Sequence, residues 1–204
     1  MDPIRILEET THWIAVEKPA GWTVERHPRH PSLEGWWART RGDAFLGVVH
    51  RLDRPVSGIV LMAKKRSTLK ELNEQFARRR VQKFYEARTT QPPPAQRGKL
   101  EHTLRKNSET RLAEIVTSGS GKRAELRYRL LDEVDGIYRL EIVLLTGRFH
   151  QIRAQLATAG MPILGDVAYG GDAWAEEAAI ALRAVKLVFS DPVTGERKTL
   201  RLNP

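Results

Sequence analysis

The sequence predicts an α+β fold, and three observations point there. From Arg111 to Leu145 the pattern is strand throughout, with Leu126, Tyr128 and Leu130 alternating against Arg127 and Arg129. Turn residues punctuate that stretch at Ser118-Gly119-Ser120-Gly121 and at Val134-Asp135-Gly136. Helical spacing is confined to three separate places, after Ser32, after Ser67 and around Ile152. An excess of strand pattern with segregated helices is the mark of α+β.

With 204 residues there is room for one domain of good size, and we read 1–204 as a single domain. The formal charge of +9 favours a polyanionic partner, because each cation that neutralises a phosphate releases a counterion. With no cysteine, the chain excludes disulfides, thiolate catalysis and Cys-ligated zinc. Its six histidines show no metal-ligand pairing, so no metal is expected. No apolar run reaches membrane-spanning length, and Met1-Asp2-Pro3-Ile4-Arg5 lacks the layout of a signal peptide, which reads as a cytoplasmic protein away from membranes.

Taken in order, Ile4 to Leu7 and Trp13 to Glu17 read as two short strands around a polar turn. Lys18-Pro19-Ala20-Gly21 follows as a loop, where Pro19 and Gly21 fix the backbone and Lys18 taken alone reads as a solvated end. Arg26-His27-Pro28-Arg29-His30-Pro31 is a basic, proline-stiffened loop, suited equally to phosphates and to solvent. Ser32 caps a helix holding Trp36 and Trp37, of which at least one belongs in the core.

The centre of the sequence is His50-Arg51-Leu52-Asp53-Arg54-Pro55-Val56-Ser57-Gly58, followed by an apolar run to Ala63. Pro55 and Gly58 place Asp53 where order breaks into a loop, and an extended backbone would set Arg51 and Asp53 on one side, the cation helping to keep the carboxylate ionised. The same Asp would also serve as a plain turn former. Gly58 to Ala63 reads as a buried strand, and Ser67 opens a helix with Leu69, Leu72 and Phe76 on one face, closed by Arg78-Arg79-Arg80.

Lys83-Phe84-Tyr85-Glu86-Ala87 is a strand whose Tyr85 suits a core or cross-strand aromatic. Gln91 to Gly98, with Pro92-Pro93-Pro94, is the strongest break and reads as a loop joining two sub-sheets. The basic alternate face of 126–130 is open to solvent or to a polyanion. Thr146-Gly147-Arg148-Phe149-His150-Gln151-Ile152-Arg153 then leads into a helix with Ile152, Leu156 and Ala159 on one face and Gly160 at its end. Pro162-Ile163-Leu164-Gly165-Asp166 and Tyr169-Gly170 come next, and Ile180 to Leu202 gives strands around a turn at Pro192-Val193-Thr194-Gly195.

Four of these motifs, in this order, resemble the RluA-type pseudouridine synthases: Lys-Pro-x-Gly at 18–21, the nonapeptide at 50–58, Lys-x-Tyr-x-Ala at 83–87, and the Thr-Gly-Arg-x-His-Gln-Ile-Arg block with its Gly-Asp-x-x-Tyr-Gly sequel. The resemblance implies a mixed, mostly antiparallel sheet in two halves flanked by helices, with a central basic cleft, and 1–204 as one catalytic domain. It implies an RNA uridine isomerase acting on transfer or ribosomal RNA, without cofactor or metal, as a monomer. It assigns catalysis to Asp53, Tyr85 and Arg153, with Arg153 pairing the carboxylate and Tyr85 lying against the base. Arg51, Ile152, Arg148, His150 and Lys18 become substrate contacts, Arg51 filling the gap left by an extruded nucleotide. The chain reads as a compact form without the N-terminal S4 RNA-binding module that many members carry. It departs from the family at Val56 and Leu126, where Thr is common, and at Arg183 and Asp191, where His is common. Competing readings are a non-catalytic RNA-binding protein on the same fold and a glycosidase that releases the base.

Overall fold

The computed structural model describes residues 4–42, 44–176 and 178–202, so Met1–Pro3 of the opening lie outside the described residues. The chain divides into two compact units, one built from Met1–Gln82 and Ala184–Pro204 and the other from Lys83–Arg183.

In the first unit β1 (Arg5–Glu9) and β2 (Trp13–Lys18) form an antiparallel hairpin. Helix α1 (Leu33–Arg41) starts where Ser32 accepts a hydrogen bond from the Gly35 amide, and both Trp36 and Trp37 are buried. Strand β3 (Gly47–Val48) precedes the signature loop, and β4 (Ser57–Ala63) pairs antiparallel with β2 and β3. β4 is buried almost throughout, as its unbroken apolar run requires. Helix α2 (Arg66–Ala77) begins ahead of Ser67: its N-cap is Lys65, which makes no side-chain cap bond, so Ser67 does not open it. At its other end Arg78 pairs with Glu74 one turn back, at 2.8 Å.

The second unit holds β5 (Gln82–Thr89), β6 (Arg97–Lys106), β7 (Ala113–Ile115), β8 (Lys122–Val134) and β9 (Ile137–Leu144), joined antiparallel as β5-β9-β8-β6-β7. Leu126, Tyr128, Leu140 and Ile142 lie buried on one face, where helix α3 (Gln151–Thr158) also packs. Leu126 thus fills core where the family commonly has Thr. The opposite face carries cross-strand ion pairs, among them Lys99–Glu125 at 2.9 Å, Arg123–Glu101 at 2.6 Å and Arg129–Glu141 at 3.0 Å. Of the basic face read in the sequence, Arg129 is thus matched by a carboxylate. Strand β6 escapes the sequence reading, since Lys99, Glu101 and Arg105 carry charge where a half-buried strand usually shows β-branched residues.

The chain then returns to the first unit as β10 (Leu182–Ser190) and β11 (Arg197–Arg201), an antiparallel hairpin with β10 beside β4. Here the core gathers Trp13, Ile59, Leu61, Leu72, Leu187, Phe189 and Leu200, with Trp13 set edge-on to Phe189 at 5.3 Å. Asp191 accepts the Trp13 indole N–H at 2.8 Å and the amides of Val193 and Thr194 at 2.8 and 3.1 Å. Burial pushes its carboxyl up, but these three donors outweigh that and hold it below the usual range. The Asp that departs from the family pattern is thus the anchor of the closing turn.

Gly58 has φ 120°, and a Cβ there would collide with the backbone of Ala184. Both facts demand glycine. Gly58→Ala is expected to lower stability by roughly 3–5 kcal/mol, because strain and a backbone clash combine. Urea unfolding checks it, and a midpoint within error of the wild type would contradict the close packing of β4 on β10.

Candidate active site

The first unit positions Asp53. Between β3 and β4 the chain is irregular, and the Asp53 carbonyl accepts the Val56 amide at 3.0 Å, closing a tight turn through Arg54 and Pro55. The loop is fastened from two further directions. The His50 ring stacks on Phe76 at 4.9 Å, and its Nε2 accepts the Leu61 amide at 3.0 Å, an imidazole standing where a neighbouring strand would offer a carbonyl. Lys18 reaches in from the end of β2 and donates to the carbonyls of Pro19 at 2.9 Å, Trp22 at 2.7 Å and Arg54 at 3.3 Å. Its three N–H bonds are all used, and the side chain is 0% exposed. The Gly21 amide adds a bond to the Arg54 carbonyl at 2.8 Å. Lys18 is thus a buried clasp on the residue next to Asp53, and the reading of it as a solvated end fails because the acceptor that draws it inward, the Arg54 carbonyl, lies 36 residues along the chain.

Burial pushes the Lys18 ammonium down to about 7, opposed by the Asp53 charge and reinforced by Arg54. Between that value and the ordinary 10.5 the unfolded chain holds a proton that the folded chain has released. Stability therefore rises with pH across this window. Lys18→Met is expected to lose that rise, and, with three carbonyls left without their donor, to lower stability by roughly 2–4 kcal/mol at neutral pH. Unfolding midpoints at a series of pH values decide it, and equal slopes for both proteins would refute it.

Residues 49–53 lie in no strand, and Arg51 meets Glu25 at 2.7 Å. With side chains 66% and 53% exposed, that pair contributes little.

The second unit positions the remaining residues. Tyr85 on β5 is buried opposite Ile142 of β9. Helix α3 is buried at every position from Gln151 to Leu156, on all sides and not along one stripe as its apolar spacing suggests. Its polar residues are absorbed by a chain of hydrogen bonds. The Thr146 hydroxyl takes the Glu125 amide and donates to Gln151 Oε1, both at 2.8 Å. Gln151 Nε2 donates to Gln155 Oε1 at 3.0 Å, and Gln155 Nε2 donates to the Leu100 carbonyl at 3.1 Å. This pins the start of α3 to β8 and β6, which explains why Thr146 and Gln151 stand in the motif.

Ile152 is buried on α3, and beside it Arg153 grips Asp166 by a two-point fork, Nε to Oδ2 at 2.7 Å and Nη2 to Oδ1 at 2.8 Å. Arg153 Nη1 lies 3.0 Å from His150 Nε2, and since a guanidinium only donates, that nitrogen accepts. The His150 proton is then on Nδ1, donated to Tyr169 Oη at 3.0 Å. Tyr169 Oη also accepts the Ala113 amide at 2.7 Å. Burial first, then Arg153 and Lys106, push His150 down to about 3, so its ring is neutral at physiological pH. His150 adopts φ 49° and ψ 26°, a left-handed conformation that costs a side-chain-bearing residue energy. Arg148 Nε donates to the Arg123 carbonyl at 3.0 Å.

The first unit thus brings Lys18 to the loop of Asp53, and the second brings Arg153, His150 and Ile152 together. The sequence assigned no role to His50, Asp166 or Tyr169, although all three lie within the quoted motifs; the 13-residue spacing from Arg153 to Asp166 was the available signal.

Among known proteins, the chain is 32% identical to the ribosomal large subunit pseudouridine synthase D of Zymomonas mobilis, over 96% of this chain and 67% of that one. It is 34% identical to the ribosomal large subunit pseudouridine synthase C of Escherichia coli, over 94% of this chain and 63% of that one. An uncharacterized RNA pseudouridine synthase of Chloroflexus aurantiacus is 37% identical over 75% of this chain and 50% of its own length. The chain spans between half and two thirds of these curated relatives. Its fold is that of the human RNA pseudouridylate synthase domain containing 1, with a TM-score of 0.82 at 21% identity over 100% of this chain and 86% of that one. The family model described as RNA pseudouridylate synthase matches residues 12–158, a span that takes in Lys18, the nonapeptide at 50–58, Tyr85 and Arg153, and the chain belongs to that family.

Proposed function

We propose that the chain is an RNA pseudouridine synthase that uses Asp53 to isomerise uridine. The observation that carries this is the fastening of the Asp53 loop by a buried lysine, a histidine and a tight turn, with Asp53 itself half-buried and not sealed in the core. A group that must meet a substrate atom needs such a rigid and open mounting. The family match crosses from the first unit into the second, which supports reading 1–204 as one catalytic domain.

In the reaction the N1–C1′ bond of uridine breaks, C5 joins C1′, the C5 proton leaves and N1 takes a proton up. Nothing is consumed. The target nucleotide is extruded from its stack at a cost of a few kcal/mol. Asp53 then acts on the ribose, by attack at C1′ or by removing the 2′ proton. Ordinary glycosidases need a second carboxylate to manage water and a leaving group. One suffices when the detached uracil stays and becomes the nucleophile. Motif resemblance gives Arg153 the role of counter-ion to Asp53, with its fork to Asp166 fixing the guanidinium. It gives Tyr85 the face of the base and the C5 proton, and Ile152 the packing beneath it. Lys18 shapes the Asp53 loop, and His150 orients Arg153. Arg51 is assigned to the gap left by the extruded base.

The substrate is RNA, transfer or ribosomal, and relatives named for the ribosomal large subunit make ribosomal RNA the first to test. Among the described residues no helix is long and apolar enough to cross a membrane. We place the protein in the cytoplasm, as a monomer. Incubation with RNA tritiated at uridine C5, ribosomal and transfer separately, is expected to release tritium without free uracil. Free uracil would make it a glycosidase, and no release from either RNA would sink the proposal.

A further inference from the structure

The proposed reaction gives no role to Phe149 of the family motif block. Phe149 stands between Arg148 and His150 and is 39% exposed, an aromatic ring left in water. Its other surroundings are unusually well defined. The ring lies parallel to that of His150, with centroids 3.8 Å apart and planes 18° from parallel. His150 cannot turn, because Arg153 holds Nε2 and Tyr169 holds Nδ1. The left-handed backbone of His150 is the cost of folding it beneath its neighbour. At the end of β6, the exposed Lys106 sets its Nζ 4.9 Å from the Phe149 ring centroid.

We propose that Phe149 is a stacking platform for an unpaired nucleobase of the RNA, with Lys106 taking an adjoining phosphate. A single flat ring on a rigid support, flanked by cations on a chain of charge +9, suits a base attached to a phosphate and not an apolar protein surface. Lys106 does not block it. A cation–π contact at an exposed site is weaker than the stacking of a base on an aromatic ring, so the ammonium yields the face and gains a phosphate. The location rests on the proposed function. His150 joins Phe149 to Arg153 directly, so the stacked base is a neighbour of the target uridine and not the target, which meets Tyr85.

The test is equilibrium binding of a single-stranded oligouridylate of about ten nucleotides carrying one 2-aminopurine, read by fluorescence quenching and by affinity across a salt series. Wild type is expected to quench the probe. Phe149→Leu keeps the bulk against His150 but removes the π face, and is expected to lose the quench and weaken binding roughly tenfold or more. Phe149→Trp is expected to restore both. Lys106→Gln is expected to keep the quench and to reduce the slope of log affinity against log salt by about 0.7, one phosphate on a single strand. Phe149→Leu binding within twofold of wild type with the quench intact would overturn the platform, and an unchanged slope for Lys106→Gln would remove its phosphate. If wild type binds and quenches in this way yet releases no tritium from RNA, the platform stands and the proposed reaction fails.

Discussion

Asp53→Asn is expected to abolish tritium release from C5-labelled RNA, by roughly 10⁴-fold or more, the scale of losing one essential member of a catalytic set. Asparagine keeps the shape and the turn, since the bond that closes it uses the Asp53 main-chain carbonyl and not the side chain. Lys18, His50 and Gly21 hold the loop through other atoms. The turn should therefore persist, and RNA affinity should stay within a few-fold of wild type. Turnover alone should vanish. Should the variant retain more than a tenth of wild-type turnover while folded, Asp53 is not the reacting group.

The second large effect concerns stability. Asp166→Ala leaves Arg153 buried without its carboxylate, and Arg153 and Asp166 have side chains 7% and 1% exposed. Breaking such a pair costs roughly 3–5 kcal/mol, because the guanidinium loses a two-point partner where water does not replace it. The same substitution at Asp132, whose fork with Arg139 is about a third exposed, should cost under about 1 kcal/mol despite its similar geometry. Denaturant unfolding of the two variants side by side settles the ranking. Equal losses would mean that burial is not what gives the Arg153 fork its value. Asp166→Ala should also release the His150 ring by freeing Arg153 to move, so turnover is expected to fall even below the denaturation range.

The strands and helices that were legible in the sequence are those whose burial is one-sided or complete. β4 shows as an apolar run, β8 as an alternation, and α1 as a helix whose Ser cap is visible three residues ahead of its partner amide. β6 was not legible because cross-strand ion pairs hold its outer face, and charge at alternate positions reads as loop until the partners on β8 are known. The site divides in the same way. Asp53, Tyr85 and Arg153 were assigned by resemblance, which carries residue roles that no local pattern encodes. What fastens them was hidden by distance along the chain: Lys18 acts on a carbonyl 36 residues on, and His50 on an amide 11 residues on.

The first unit is assembled from both ends of the chain, with the whole of the second unit encoded between them. Gly58 rests on Ala184, so β4, already beside β2, finds its neighbour on the other side only after the intervening segment has been made. At roughly 5–20 residues per second this is a delay on the order of ten seconds during synthesis. The edge of β4 that faces β10 therefore stays open through that interval, although β4 itself is translated early, and the closing hairpin is what covers it.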